Sequence, residues 1–254
     1  MSLKRSPTIK STLHIATIFV LCLLYATIMS GCNIFKHSGG IQSGNATGPA
    51  PSTQQLISSF KQQFHTVKSV HVIMLVQNTG PVDPTQTQIL DVDGDVVMPD
   101  KVKAQATVLL SGQKVQIGLI SVNGNQYVTD PVTGQWRVMN GVLDPNTLTN
   151  PDTGIISILG KVQNLSQPTA SSANGTPCWN VNGTLDAQDL AFLTGGGAPA
   201  GSKLQVSACF GQHDSLPYHI SIVGAAARGD TPQTTRTFDL SHYNDQITII
   251  APQT

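Results

Sequence analysis

The residues with the clearest chemical potential in this chain are Met29-Ser30-Gly31-Cys32, which follow an uncharged apolar run from Ile15 to Ile28. A thiol preceded by small residues at the end of such a run is an acceptor for thioether acylation. Lys4, Arg5 and Lys10 supply the positive start, the apolar run the middle, and Ser30-Gly31 the small residues before a cleavage point. The pattern reads as a lipobox: Cys32 takes a diacylglyceryl group, the chain is cut before it, and the new amino group is acylated. Residues 1–31 are then a signal peptide. Met29 stands where Leu is commoner. Two other readings share the pattern, an ordinary cleaved signal that leaves Cys32 free and an uncleaved anchor helix. A spanning helix wants about 20 apolar residues, more than this run offers. Acyl chains such as palmitate contribute about 0.8 kcal/mol per buried CH2, so two or three of them hold a protein stably. The expected location is the cell membrane, lipid-anchored at its extracytoplasmic face.

Export changes how the other reactive residues read. Cys22 lies in the signal, which leaves Cys178 and Cys209 in an oxidising compartment and makes a disulfide between them the expectation, with two buried thiols as the alternative. Neither Cys belongs to a CxxC pair or has a His nearby, so no metal site is expected. All 14 acidic residues are Asp, and the absence of Glu excludes an HExxH zinc site. No GxSxG elbow, phosphate-binding loop or dinucleotide fingerprint occurs. Asp91-Val92-Asp93-Gly94-Asp95 resembles the start of a calcium loop but lacks its Gly at position 6 and Glu at position 12, so it reads as a solvated turn or strand edge. His65, His71, His213, His219 and His242 have no metal-ligand spacing. No catalytic residue, metal or cofactor is expected, and the chain does not read as an enzyme.

Without the signal's three cations, 11 Lys and Arg face 14 Asp, a formal charge of −3. That balance excludes nucleic acid as a partner and argues against an electrostatic membrane patch. Residues 32–55 read as the lipidated Cys followed by a flexible linker: 33–55 are rich in Ser, Gly, Asn, Thr, Pro and Ala, and their mean reach over 23 residues is roughly 25–30 Å. Residues 56–254 suit one β-rich domain.

The elements of that domain follow from periodicity. Leu56, Ile57, Phe60, Phe64 and Val67 recur at helical spacing, with Ser52 or Thr53 as N-cap. Strands are expected at 69–77, 88–98, 102–110, 114–122, 126–129 and 136–139, joined by turns such as Ser111-Gly112 and Asn123-Gly124. A second set is expected at 178–184, 204–210, 219–226, 234–240 and 246–250. Between the sets, 153–162 reads as a helix, and 186–193 as another capped by Asp186. Val102, Ala104, Ala106, Val108 and Leu110 share one face of their strand, and Val115, Ile117 and Leu119 one face of the next. This apolar, small-residue face is either an ordinary core packed under helices or the wall of a deep cavity. The wall would comprise Val72, Met74, Ala104, Ala106, Val108, Val115, Ile117 and Leu119, closed by Ile155, Ile158 and Leu159.

Leu143-Asp144-Pro145, Leu148 and Asn150-Pro151-Asp152-Thr153-Gly154-Ile155, followed by a helix through Leu159, resemble a segment of the mycobacterial LppX/LprG/LprA/LprF lipoproteins. The order of elements is similar too: lipobox, linker, a helix leading into Val67 to His71, a long antiparallel sheet, this segment, then strands ending near Leu240-Ser241 and Tyr243, with Pro252 beyond. The resemblance covers Leu56 to Pro252. It implies an α+β fold in which a strongly curved antiparallel sheet, a half-barrel, wraps a few short helices around an apolar cavity, as in the LolA/LolB carriers. The Cys178 and Cys209 pair and the Gly-rich stretch 194–202 depart from the family pattern. The implied function is binding of acyl chains and carriage or presentation of a lipid across the cell envelope. The implied partners are an acylated lipid or glycolipid, the membrane through Cys32, and a membrane transporter. Pro145, Pro151 and Gly154 suit a lid over the cavity, or simply a well-made helix entrance. The competing reading is a non-enzymatic interaction or sensor module of the same fold with a closed core.

Overall fold

Alternating β-branched and polar residues, interrupted by two-residue turns that only left-handed backbone can make, produce hairpin after hairpin. Ser111-Gly112, Asn123-Gly124 and Asn174-Gly175 all have positive φ at both residues, the geometry whose twist matches that of the flanking strands. The computed structural model describes residues 41–43, 48–81, 87–142, 145, 150, 155–194 and 196–253. The lipobox, Cys32 and most of the Leu143 to Gly154 segment lie outside these described residues.

Among the described residues twelve strands form one antiparallel sheet: β1 (Ile41–Ser43), β2 (Ser69–Gln77), β3 (Gln88–Val97), β4 (Lys101–Leu110), β5 (Gln113–Val122), β6 (Asn125–Thr129), β7 (Trp136–Val138), β8 (Thr169–Ala173), β9 (Thr176–Asp186), β10 (Lys203–Gly211), β11 (Pro217–Val223) and β12 (Thr235–Ser241). Their spatial order is β1-β8-β9-β10-β11-β12-β2-β3-β4-β5-β6-β7. The two meanders are thus joined by β12 lying beside β2, with Phe238 opposite Met74. The sheet is strongly curved, and its inner face shelters short helices: α1 (Thr53–Phe64), α2 (Ile155–Leu159) and α3 (Ala191–Thr194), the last preceded by a 3-10 turn over Ala187–Leu190.

Helix α1 starts where Ser52 and Gln55 cap each other. The Ser52 hydroxyl accepts from Gln55 N–H, and the Gln55 side chain accepts from Ser52 N–H, so two orphan donors are satisfied reciprocally. The helix therefore begins before Leu56, within what the composition suggested was linker. Its stripe of Leu56, Phe60 and Phe64 is buried, and the Phe60 ring packs at a tilt on Phe210 of β10, their centroids 5.3 Å apart. With Val181, Leu185, Leu204, Val206, Ile158 and Leu159, these side chains make the main core.

Several expectations need correction. The linker contributes an edge strand, since Ile41–Ser43 pairs with Ala173 to Ser171 of β8. Strand β8 itself, Thr-Ala-Ser-Ser-Ala, has no apolar alternation, although Asn174-Gly175 after it is a hairpin signal. Helix α2 is shorter than expected because it stops at Gly160. Asp186 precedes the 3-10 turn without a side-chain cap bond, its carboxylate being taken by Lys203 Nζ at 2.9 Å. Residues 246–250 form no strand. Asn244 N–H donates to Ser69 C=O, Asn244 Oδ1 accepts from Lys68 N–H and the Asp245 carbonyl from Ser69 Oγ, which carries the tail over the outer face, where Ile249 is buried against Ile120 and Val122. The Asp91 to Asp95 stretch is neither turn nor edge. It lies within β3, where Asp91, Asp93 and Asp95 alternate with Val92 and Gly94 of the cavity wall.

Cys178 and Cys209 form a disulfide between adjacent strands, with their Cα atoms 5.5 Å apart. Beside it the end of β11 is tied down by two tyrosines. Tyr218 Oη donates to Asp214 Oδ2 at 2.8 Å, Tyr243 Oη donates to the Pro217 carbonyl, and the rings meet edge to face. Burial, then the Asp214 carboxylate, pushes the Tyr218 hydroxyl up to about 12. Burial raises Tyr243 well above its ordinary value.

Candidate functional site

The helices fill only part of the concave face. Between β2–β5 on one side and β11–β12 on the other, the sheet borders a cavity of about 700 Å³, within the roughly 300–1,000 Å³ typical of ligand sites. Residue size explains why the protein's own side chains do not fill it. On the inner face of β3 and β4, Gly94 sits opposite Ala104 and Val92 opposite Ala106, so the middle of the wall is built from the smallest side chains. Larger apolar residues frame it: Val70, Val72, Met74 and Val76 from β2, Val96 from β3, Ile117 and Leu119 from β5, and Ile220, Ile222, Phe238 and Leu240 from β11 and β12. Phe64 of α1 and Leu190 and Leu193 around α3 close it from the helical side.

Of the residues expected in such a wall, the structure brings together Val72, Met74, Ala104, Ala106, Val108, Ile117 and Leu119. Val115, opposite Val108 in the β4–β5 ladder, is half-buried and not part of the wall. Ile158 and Leu159 are buried, but they belong to the main core rather than the cavity. The Ile155 side chain and the Leu143 to Gly154 segment lie outside the described residues, apart from Pro145 and Asn150. Sequence reasoning missed the β11–β12 side of the wall. Ile220, Ile222, Phe238 and Leu240 alternate along their strands as an ordinary core would, and only the tertiary pairing of β12 with β2 puts them across from Val72 and Met74.

It also missed that one end of the cavity is polar. Arg236, opposite Val76 and Ile222 on the inner face, makes a two-pronged contact with Asp230 at 2.8 and 2.9 Å. Asp230 Oδ2 also accepts from Ala226 and Ala227 N–H. Elsewhere three histidines engage carboxylates: His71 contacts Asp95 and Asp93, His219 contacts Asp239, and His242 contacts Asp245. Among the described residues no three His, Cys or Asp side chains are disposed to share a metal ion, and no helix is long and apolar enough to cross a membrane. What the arrangement can do is enclose a long apolar group.

The sequence profile of the LppX_LprAFG lipoprotein family matches residues 52–249. The chain belongs to that family. Among its relatives is the lipoarabinomannan carrier protein LprG of Mycolicibacterium smegmatis, 26% identical over 180 residues that cover 68% of this chain and 71% of LprG. The crystal structure of LprF from Mycobacterium bovis superposes with a TM-score of 0.61 at 20% identity, covering 81% of this chain and all of LprF. That of LppX from Mycobacterium tuberculosis gives 0.55 at 20% identity, covering 78% of this chain and all of LppX. The fold is thus shared with both proteins over the aligned residues.

Proposed function

We propose that this protein is a lipid carrier of the cell envelope, which holds the acyl chains of a lipid or glycolipid in its cavity and is tethered through acylated Cys32 to the extracytoplasmic face of the cell membrane. The observation that carries the reading is an apolar cavity of about 700 Å³ in a fold whose relative LprG is named a lipoarabinomannan carrier. Protein interiors are packed to crystal density with few voids larger than a water molecule, so a space of this size speaks against a closed-core interaction module. Burial of acyl surface at about 25 cal/mol per Å² drives binding without regard to chain identity. Carriage is then passive, loading and unloading being set by the partner membrane or transporter rather than by bond chemistry.

The test is native mass spectrometry of the full-length protein extracted gently from its own membrane. A co-purifying acyl lipid is expected, together with an N-terminal peptide that begins at Cys32 and carries the mass of the acyl groups. A folded protein that emerges with no lipid in any preparation overturns the carrier reading. An N-terminal peptide with an unmodified Cys32 overturns the tether.

A further inference from the structure

The cavity is chemically polarised along its length. Toward α1 it is walled by Phe64, Val70, Val96 and Val102; at the end where β11 turns into β12 it carries guanidinium groups. Arg236 shares the inner face with Phe238 and Leu240, and its side chain is 12% exposed against 1% for Asp230. Each Asp230 oxygen accepts from one Arg236 nitrogen, and Oδ2 takes two backbone N–H groups as well. The carboxylate's accepting capacity is therefore largely spent. A guanidinium has five N–H donors, so three of Arg236 remain.

Arg228 lines the same end, is exposed, and has no carboxylate within ion-pair distance among the described residues. Two guanidinium groups thus face one carboxylate. The loops bearing these residues are held together, Gly80 N–H donating to the Gly229 carbonyl at 2.8 Å and Thr231 Oγ1 to the Asn78 carbonyl at 2.9 Å. An Arg–Asp pair alone would do no more than staple the β11–β12 loop. Stapling does not call for a second, uncompensated Arg on the cavity wall.

We propose that this end is a head-group subsite which selects acyl lipids with an anionic head, a phosphodiester or a carboxylate, through Arg228 and the unspent donors of Arg236. The proposal rests on the carrier reading and adds a charge preference that apolar burial cannot supply. Charged hydrogen bonds in a partly desolvated site are stronger than neutral ones, so the preference over a neutral lipid with the same chains is on the order of tenfold or more.

The full-length protein is stripped of its own lipid in non-ionic detergent and titrated, with native mass spectrometry as readout, against dipalmitoylphosphatidylglycerol, palmitate and dipalmitoylglycerol. Dipalmitoylphosphatidylglycerol is expected to bind roughly tenfold or more tightly than dipalmitoylglycerol. Arg228→Gln is expected to bring that ratio close to one, and Lys101→Gln, at the other end of β4, to leave it unchanged. Palmitate that competes in an Arg228-dependent manner assigns a carboxylate head, and palmitate that does not compete assigns a phosphodiester; either keeps the proposal. Equal binding of the charged and neutral diacyl lipids to the unaltered protein overturns the subsite while leaving the carrier reading intact, as does a ratio that survives Arg228→Gln. Failure of all three lipids to bind overturns the carrier reading and the subsite with it.

Discussion

Single residues decide whether the concave face of this sheet is a core or a container. A Cβ on Gly94 would lie 2.6 Å from the Ala104 Cβ and 2.8 Å from the Lys103 carbonyl oxygen, so that site has no room to grow toward β4. Gly94→Val is expected to lower the unfolding free energy by about 1–3 kcal/mol, the usual cost of overpacking, as read from chemical denaturation. Ala106 borders open space instead. Ala106→Phe should leave the melting temperature within a few degrees of the unaltered protein while reducing co-purified lipid severalfold, which native mass spectrometry measures. A loss of fold without loss of lipid in the remaining folded fraction would contradict this. The small residues at 104 and 106 were legible in the sequence as an apolar face poor in volume. Whether neighbours would fill the gap was not, because that depends on side chains more than a hundred residues away on β11 and β12.

At the scale of elements, helix α1 and the end of β11 carry distinct, measurable ties. Ser52→Ala removes one side of the capping box and is expected to cost about 1 kcal/mol, measured by denaturant unfolding. The tyrosine pair makes stability sensitive to alkali. Tyr218 ionises near 10 when unfolded but about 12 when folded. Its contribution is complete below pH 10 and is lost as pH rises through 12, since the unfolded chain gives up the proton first. Tyr243 is shifted in the same direction. The melting temperature should be flat up to about pH 10 on this account and then fall, with a shallower fall in Tyr218→Phe; an equally steep fall in that variant would exclude the tyrosine as a cause. The elements most faithfully read from sequence are the strands with strict alternation and Gly-containing turns, such as β4 and β5. Strand β8, short and made of Thr, Ala and Ser, is stabilised by β9 and β1 rather than by its own pattern, and 246–250, which has a strand's composition, lies on the outside of the sheet instead.

For the whole molecule, the balance lies between a filled half and a hollow half. The filled half is locked by the Cys178–Cys209 disulfide, whose separation of 31 residues corresponds to roughly 3–4 kcal/mol in the chain-entropy account. Under the carrier reading, a lipid in the cavity adds packing to the other half. A ligand at 100 times its dissociation constant contributes about 2.7 kcal/mol, so delipidated protein is expected to melt several degrees below the protein as purified, and to recover when an acyl lipid is restored. No difference by scanning calorimetry would argue that the cavity is not where lipid binds.

By itself the sequence determined most local matters: the strands with strict alternation and their Gly-containing turns, which face of strands such as β4 and β5 is apolar, and the family to which residues 52–249 belong. These follow from periodicity, backbone chirality and residue type over a few positions. Only the tertiary structure decided that β12 lies beside β2, that Ile220 and Phe238, members of the same core as Ile158 and Leu159, also line the cavity, and that a doubly held Asp230 leaves guanidinium donors at one end of it. The physical reason is that a cavity and its charge are made by what fails to meet across a fold, and the pattern of any one strand records only what lies on its own two faces.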